Sequence, residues 1–249
     1  MSPKLAGHCA VITGGNGSIG KAIAHQMLEE GAEVILTGRS IEKLQETKTS
    51  LLESLPDALV GCYRCDVSIE ADVVALFQSI EKDHSIEKLL LVNNAGTFVP
   101  GSTVDTSGKD FDLVMQVNVT GAFLCAREAL KRMIPNQGGR IINIGSISAI
   151  APRPNSCSYT TSKFALLGMT KSLALDARPH NVAVGIIHPG NVRSALWPPD
   201  AVSNAETKEG FQSARDVAQC VLAMATLPYS VNVLEMTVLP TRQPLIGRG

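Results

Sequence analysis

The chain has 249 residues, 45% of them hydrophobic, 18% charged and 4% aromatic, and its 22 Lys and Arg nearly balance 23 Asp and Glu for a formal net charge of -1. A chain of this make-up buries a full core, which excludes fibrous and disordered classes, and without a basic block it offers no electrostatic footing for nucleic acid or an anionic membrane. The longest apolar runs, 89–92 and 141–144, fall far short of the roughly 20 residues that span a bilayer. The first ten residues lack the apolar centre of a secretory leader, and the ending Gly247-Arg248-Gly249 matches no retention or lipidation address. Cytoplasm is the expected compartment, and small molecules are the expected partners.

Short apolar runs alternate with longer amphipathic stretches along the whole chain, which predicts a parallel sheet covered by helices in an α/β fold. In order, the pattern predicts a strand at 8–13, a helix at 18–30, a strand at 33–37, a helix at 41–55, a strand at 60–65 and a helix at 69–82. A strand at 89–93, a long helix at 109–134, a strand at 140–145, a helix at 157–177, a strand at 182–188, a helix at 214–227 and a strand at 233–238 complete the series. Near-continuous apolar strands imply burial on both sheet faces. Gly31, Pro56-Asp57 and the turn at 135–139 punctuate the helix ends. No repeat or linker interrupts the series, so 1–249 reads as one domain. The stretch 189–210, with Trp197, Pro198 and Pro199, is long for a connection and is expected to act as a lid.

Cys62 and Cys65 have the spacing of half a zinc site or a redox pair. No second pair or histidine cluster accompanies them and their segment reads as a strand. The six cysteines are therefore expected to be free thiols, with no metal site.

The first strand runs into Thr13-Gly14-Gly15-Asn16-Gly17-Ser18-Ile19-Gly20, followed at once by a helix. Glycines let the backbone turn tightly and approach a pyrophosphate, while a helix start offers unpaired N–H groups and a positive dipole end. Gly14, Asn16, Ser18, Ile19 and Gly20 are the candidate phosphate contacts. After the second strand, where an acid would hold the 2′-hydroxyl of NAD, the chain reads Thr37-Gly38-Arg39-Ser40. The glycine leaves room for a 2′-phosphate, with Arg39 and the Ser40 hydroxyl to bind it, so NADP (NADPH) is expected over NAD.

Strand five ends at Ser146, and Tyr159 and Lys163 follow at i and i+4 near a helix start, on one helical face. A phenol is a poor base at neutral pH unless a nearby ammonium stabilises its anion, and Lys163 is placed to do so. Ser146 stands where parallel sheets bind their ligands and can donate to a substrate oxygen.

Together these residues resemble the short-chain dehydrogenase/reductase family in its single-domain form of about 250 residues. The similarity rests on the turn at 13–20, Asn93-Asn94-Ala95-Gly96, Asn118 in the long helix, Ser146 with Tyr159-x3-Lys163, and Pro189-Gly190-x-Val192-x-Ser194. The resemblance implies a Rossmann-type doubly wound sheet of seven strands with helices on both faces. It makes Tyr159 the proton donor in carbonyl reduction, with Lys163 lowering its pKa and binding the nicotinamide ribose, Ser146 polarising the carbonyl and Asn118 holding a relay water. It also places Asp66 and Val67 beside the adenine, Asn94, Ala95 and Gly96 along the cofactor, and Pro189, Gly190, Val192 and Ser194 at the nicotinamide. Ser18 stands where glycine or alanine is usual and Ser194 where threonine is common. His188 is read as a packed, neutral ring.

Loops 97–103, 148–156 and the lid near Trp197 carry Phe98, Val99, Ala149, Ile150, Ala151 and Leu196, which suggests a mainly apolar substrate pocket, with Arg153 read as an exposed loop residue. Apolar positions on the two longest helices, Ala122, Ala126, Ala165, Leu166, Met169 and Leu173, exceed what one sheet face requires, and a homodimer or homotetramer is expected. The leading expectation is an NADPH-dependent reductase of a ketone or aldehyde. The alternatives are an alcohol dehydrogenase working toward oxidation and a cofactor-binding regulatory protein without turnover.

Overall fold

Seven parallel strands lie in the order β3-β2-β1-β4-β5-β6-β7 in the computed structural model, which describes residues 3–193 and 209–245. They are β1 Cys9–Thr13, β2 Glu33–Gly38, β3 Val60–Arg64, β4 Leu89–Asn93, β5 Gly139–Ile144, β6 Val182–Pro189 and β7 Glu235–Val238. The helices are α1 Ser18–Glu29, α2 Ile41–Ser54, α3 Glu70–Asp83, α4 Gly108–Met115, α5 Gly121–Met133, α6 Cys157–Ala177 and α7 Ala214–Ala225. Strand order reverses between β1 and β4, and a crevice forms at the carboxyl ends of the strands at such a reversal.

Period-two alternation divides the core into two layers. On β1, Ala10 and Ile12 join one cluster with α1 and α7, while Cys9 and Val11 join another with α3 and α5. On β2, β4 and β5 the residues divide in the same way: Val34, Leu36, Leu90, Val92, Ile142 and Ile144 face one layer, and Ile35, Leu89, Leu91 and Ile141 the other. Both faces are covered, so the sheet is doubly wound as expected. Among the described residues no helix is long and apolar enough to cross a membrane.

Cys62 packs toward the α1 and α7 layer, where its Sγ meets the Leu44 carbonyl, and Cys65 is buried in the opposite layer. An odd spacing along an extended strand sends the two thiols to opposite faces, so they share no ligand.

The predicted helix at 109–134 is one rod with a fault. Between α4 and α5 the backbone forms a π-helical turn at Gln116–Thr120, with Asn118 inside it. Such turns re-aim a side chain within a helix, and they recur at functional sites. Immediately after it, Gly121 lets α5 lie against Val67, whose Cγ2 is 2.7 Å from where a Cβ would sit. A buried ladder also crosses the layers at this level: Asn93 Nδ2 donates to the Ala122 carbonyl (3.1 Å) and to Asn143 Oδ1 (3.0 Å), and Asn143 Nδ2 donates to Thr170 Oγ1 (2.8 Å). With these bonds made, β4, β5, α5 and α6 are fixed relative to one another just below the crevice.

The lid expected at 189–210 is described only at its ends. Ser194, Leu196, Trp197, Pro198 and Pro199 lie outside the described residues.

Candidate active site

The glycine turn enters the crevice from the end of β1. Gly14 has φ 63, a conformation suited to glycine, and a Cβ there would lie 3.0 Å from Ala95 Cα. A Cβ on Gly20 would press into the Gly14 carbonyl, and one on Gly15 would lie 2.9 Å from Leu36 Cδ2. These absent side chains keep the turn flat against β2 and the β4 loop. The α1 N-cap is Gly17, which has no side chain to cap the helix, so the first-turn N–H groups near exposed Ser18 are left for an external acceptor. The cradle fits a dinucleotide pyrophosphate.

Two side chains hold that turn. Thr13 Oγ1 accepts from the backbone N–H of Asn94 and Ala95, each at 3.0 Å. Asn94 Nδ2 donates back to the carbonyls of Thr13 (2.9 Å) and Gly14 (3.0 Å). Asn94 therefore staples the β4 loop to the glycine turn, and its amide is engaged in the scaffold.

At the end of β2, Arg39 is exposed and makes no side-chain hydrogen bond or ion pair among the described residues, while Asn16 Oδ1 lies 3.1 Å from where a Gly38 Cβ would be. Ser40 departs from the expectation of a free donor. It is the N-cap of α2: its hydroxyl accepts from Lys43 N–H (3.3 Å) and donates to Glu42 Oε2 (2.7 Å). That bond holds the Glu42 carboxyl below its usual range. Beyond β3, Asp66 Oδ1 accepts from the Ser68 N–H (3.0 Å) and hydroxyl (2.7 Å), so its carboxylate organises the entry to α3, next to buried Val67.

The proposed reacting groups meet where β4, β5 and α6 converge. Lys163 is buried, at 5% exposure, and its Nζ donates to the Ile144 carbonyl at 2.9 Å. Asn118, in the π turn, accepts from Thr97 N–H (2.8 Å) through Oδ1 and donates through Nδ2 to the Thr97 carbonyl (3.0 Å) and Ser162 Oγ (3.0 Å). Gly96 separates the two: a Cβ on it would lie 3.4 Å from Asn118 Oδ1 and 4.0 Å from Lys163 Nζ. Tyr159 is half-buried, with the Phe98 ring edge-on at 5.3 Å between centroids and Lys163 Nζ 5.4 Å from its own ring centroid. Ser146 Oγ accepts from Ser148 N–H at 3.1 Å and pairs with the Tyr159 phenol.

Burial pushes Lys163 down from an ordinary lysine to about 8. Burial likewise pushes the Tyr159 phenol above its ordinary value, against opposing pulls from the Ser146 hydrogen bond and the Arg153 charge. The net rise comes from desolvation, while Lys163 Nζ is engaged by the Ile144 carbonyl. The Lys163 ammonium sits under the ring at 5.4 Å and points at a carbonyl, and desolvation of the phenolate outweighs the neighbouring charges.

His188 is fully buried, and burial lowers its pKa, so the ring is neutral. Its Nδ1 lies 2.9 Å from the Ser146 carbonyl, just past the end of β5. Pro189 closes β6, and Gly190 N–H donates to Val238 O at 2.8 Å. Val192 is buried and pairs with Gln212. Arg153 corrects the exposed-loop reading: it is half-buried and ion-paired to Glu209 at 2.8 Å. Glu209, Asn191 and Gln243, which meet it there, carried no local motif in the sequence; their separations of 18 to 52 residues hide them from any pattern read along the chain.

A family model described as short chain dehydrogenase matches residues 8–202. The chain is 33% identical over 229 residues to a 3-oxoacyl-[acyl-carrier-protein] reductase of Rickettsia bellii, covering 89% of this chain and 90% of that protein. It is also 33% identical over 196 residues to a 3alpha-hydroxysteroid dehydrogenase of Mediterraneibacter gnavus, covering 79% and 78% of the two chains. Among solved structures it is similar to levodione reductase, with TM-score 0.86 and 26% identity over 95% of this chain and 97% of that one.

Lysine ionises near 10.4 in an unfolded chain, and Lys163 ionises near 8 in the folded one. The unfolded state then binds the proton more tightly. The resulting cost to the fold is complete below pH 8 and disappears as pH rises past the unfolded value. Without dinucleotide, Lys163→Met should therefore stabilise the fold at pH 7 by up to about 3 kcal/mol, with the gain gone near pH 11. Urea unfolding at both pH values measures this, and a variant less stable than the parent at pH 7 contradicts it.

Proposed function

Because the chain belongs to the short-chain dehydrogenase/reductase family, we propose that it is an NADPH-dependent reductase that turns the carbonyl of a mainly apolar small molecule into the alcohol. One observation carries this reading: the Tyr159 ring lies over the Lys163 ammonium, 5.4 Å from its centroid, where burial pushes the phenol above its ordinary pKa. A group held protonated where a carbonyl can bind is a proton donor, which favours the reductive direction.

The glycine cradle and the α1 start would hold the pyrophosphate of the dinucleotide, with Gly14, Asn16, Ser18, Ile19 and Gly20 as its contacts. Asp66 and Val67 would border the adenine, and Ala95, Gly96, Pro189, Gly190, Val192 and Ser194 would flank the nicotinamide half. When bound, the nicotinamide supplies the hydride. Ser146 donates to the substrate oxygen and polarises the carbonyl, and Tyr159 passes its proton to that oxygen as negative charge develops. The Lys163 ammonium, beneath the phenol, stabilises the phenolate left behind, and Asn118 anchors the relay that returns a proton from solvent.

Preference for NADPH rests on Arg39, exposed beside Gly38 with no acid at the end of β2. Ser40 would have to leave Glu42 to join it, so Arg39 supplies the larger share of the selectivity. The substrate wall is read as apolar from Phe98 against Tyr159, from Ala149 and from Ile150. Relatives named for 3-oxoacyl and 3alpha-hydroxysteroid substrates agree with carbonyl and alcohol chemistry.

The whole chain, 1–249, forms the proposed catalytic domain, and six free cysteines suit the reducing cytoplasm. A homodimer or homotetramer is proposed on a corrected basis. Ala122, Ala126, Leu166 and Leu173 are buried within their own chain. Among the exposed large apolar side chains, these helices carry Leu113 on α4, Phe123 on α5, and Phe164 and Leu175 on α6, each more than 40% exposed.

Tyr159→Phe should lower turnover of a carbonyl panel by at least about a hundredfold, within the range of general acid catalysis, and leave dinucleotide binding by fluorescence within about twofold. Turnover near that of the parent contradicts Tyr159 as the donor. In the same titration, Arg39→Ala should weaken NADPH by about tenfold or more and leave NADH nearly unchanged. Equal losses for the two dinucleotides, or tighter NADH binding by the parent, would overturn the assignment of Arg39.

A further inference from the structure

A polar cluster past the carboxyl ends of β5 and β6 joins four separate parts of the chain. Arg153, in the loop after β5, donates through Nη2 to Asn191 Oδ1 (2.7 Å) and Glu209 Oε2 (2.8 Å). Asn191, just past β6, donates through Nδ2 to Glu209 Oε2 (3.0 Å) and to the Gly210 carbonyl (3.2 Å). Gln243, in the C-terminal segment, completes the cluster. Its Oε1 accepts from the Asn191 N–H at 2.8 Å, and its Nε2 donates to Asn191 Oδ1 at 2.8 Å and Glu209 Oε2 at 3.3 Å.

The packing around Gly190 shows how closely the segment is seated. A Cβ on Gly190 would overlap Gln243 Oε1 and lie 2.8 Å from Leu239 Cδ2. Glycine at 190 is therefore required by the C-terminal segment, independently of any contact it makes to a dinucleotide. Asn191 and Gln243 are 2% and 4% exposed, so losing either partner strands buried polar atoms of the other. From Arg153 the cluster continues to the acid. The Ser156 hydroxyl donates to the Arg153 carbonyl and lies 3.1 Å from Thr160 Oγ1, on the first turn of α6 beside Tyr159.

We propose that Gln243, Asn191 and Glu209 clamp the Arg153 guanidinium in place near Tyr159, which makes the C-terminal segment a positioning part of the active site. The proposal rests on the carbonyl-reductase reading and deepens it in two ways. Arg153 gives Tyr159 a second positive neighbour, and this neighbour favours the phenolate. Glu209 compensates the charge of Arg153, so a carboxylate on the substrate would have to displace Glu209 from a half-buried ion pair. The clamp therefore selects uncharged carbonyl compounds.

The test compares Gln243→Leu, similar in size and without the two polar atoms, with the full-length parent by hydrogen exchange and by the pH profile of carbonyl reduction. The expected result is faster exchange across residues 148–156, about tenfold lower kcat, NADPH affinity within about threefold, and an alkaline limb moved to higher pH, because the phenol has lost its positive neighbour. A general loosening would lower kcat without moving that limb. Unchanged exchange in 148–156 together with an unmoved limb overturns the clamp. If Gln243→Leu does not fold, Glu209→Gln replaces it: this variant leaves the Arg153 charge uncompensated, so the clamp predicts faster exchange in 148–156 with the alkaline limb moved to lower pH, and the absence of both changes overturns it. If the parent reduces no carbonyl compound offered, the functional reading fails and exchange in 148–156 alone decides the clamp: faster exchange upholds it, and unchanged exchange sinks it.

Discussion

A charged amine has been taken out of water at the place where β4, β5 and α6 meet, and much of the surrounding structure serves to hold it there. Lys163 Nζ makes one hydrogen bond, to the Ile144 carbonyl at 2.9 Å, and burial lowers its pKa to about 8. Isolated burial of an ammonium is expensive, and a chain selected for stability alone would place a methionine or leucine there. Keeping the lysine makes sense for a site that needs positive charge under the Tyr159 ring, 5.4 Å away at its centroid. Gly96 lies between that amine and Asn118, with its Cβ position 4.0 Å from Lys163 Nζ and 3.4 Å from Asn118 Oδ1.

The rest of the fold supports this arrangement with rigid pieces. The Asn93, Asn143 and Thr170 ladder locks the two central strands to α6 below the site. The π turn aims Asn118 at Thr97 and Ser162, which joins the β4 loop to the helix that carries both Tyr159 and Lys163. His188 stands behind Ser146 with Nδ1 2.9 Å from its carbonyl. Thr13 and Asn94 tie the glycine turn to the same β4 loop. The phosphate cradle and the reacting groups therefore share one loop, 94–97. A dinucleotide lying along it would reach from α1 to Lys163.

What could be read from the sequence was whatever repeats locally or sits at fixed spacing. All seven strands and the order of the helices followed from apolar periodicity, because strands buried on both faces and helices buried on one leave different periods. Tyr159 and Lys163 were legible because a helix puts i and i+4 on one face. Several features were not legible, each for a physical reason. The π turn inserts within a continuous helical pattern and leaves its period almost unchanged. Ser40 looked like a phosphate donor because a helix cap and a phosphate ligand use the same hydroxyl, and only the 2.7 Å bond to Glu42 distinguishes them. The direction of the Tyr159 shift depends on how far the phenol is desolvated, which is a property of packing. Arg153, Asn191, Glu209 and Gln243 come together only through tertiary folding, and nothing near any one of them signals the others.

Net charge near zero concealed a local economy of charge. Lys163, Arg153 with Glu209, and Arg39 sit in different environments, buried, half-buried and exposed, and each is proposed to have a separate task. Of these, Lys163 is the group on which the account stands. Its ionisation can be followed directly by heteronuclear NMR of the lysine Nζ groups in the free protein, with Lys163→Met to assign the resonance. The account predicts a titration midpoint near 8. A midpoint at the ordinary lysine value, about 10.4, would mean that the amine is solvated, and would contradict a buried ammonium as the foundation of the site.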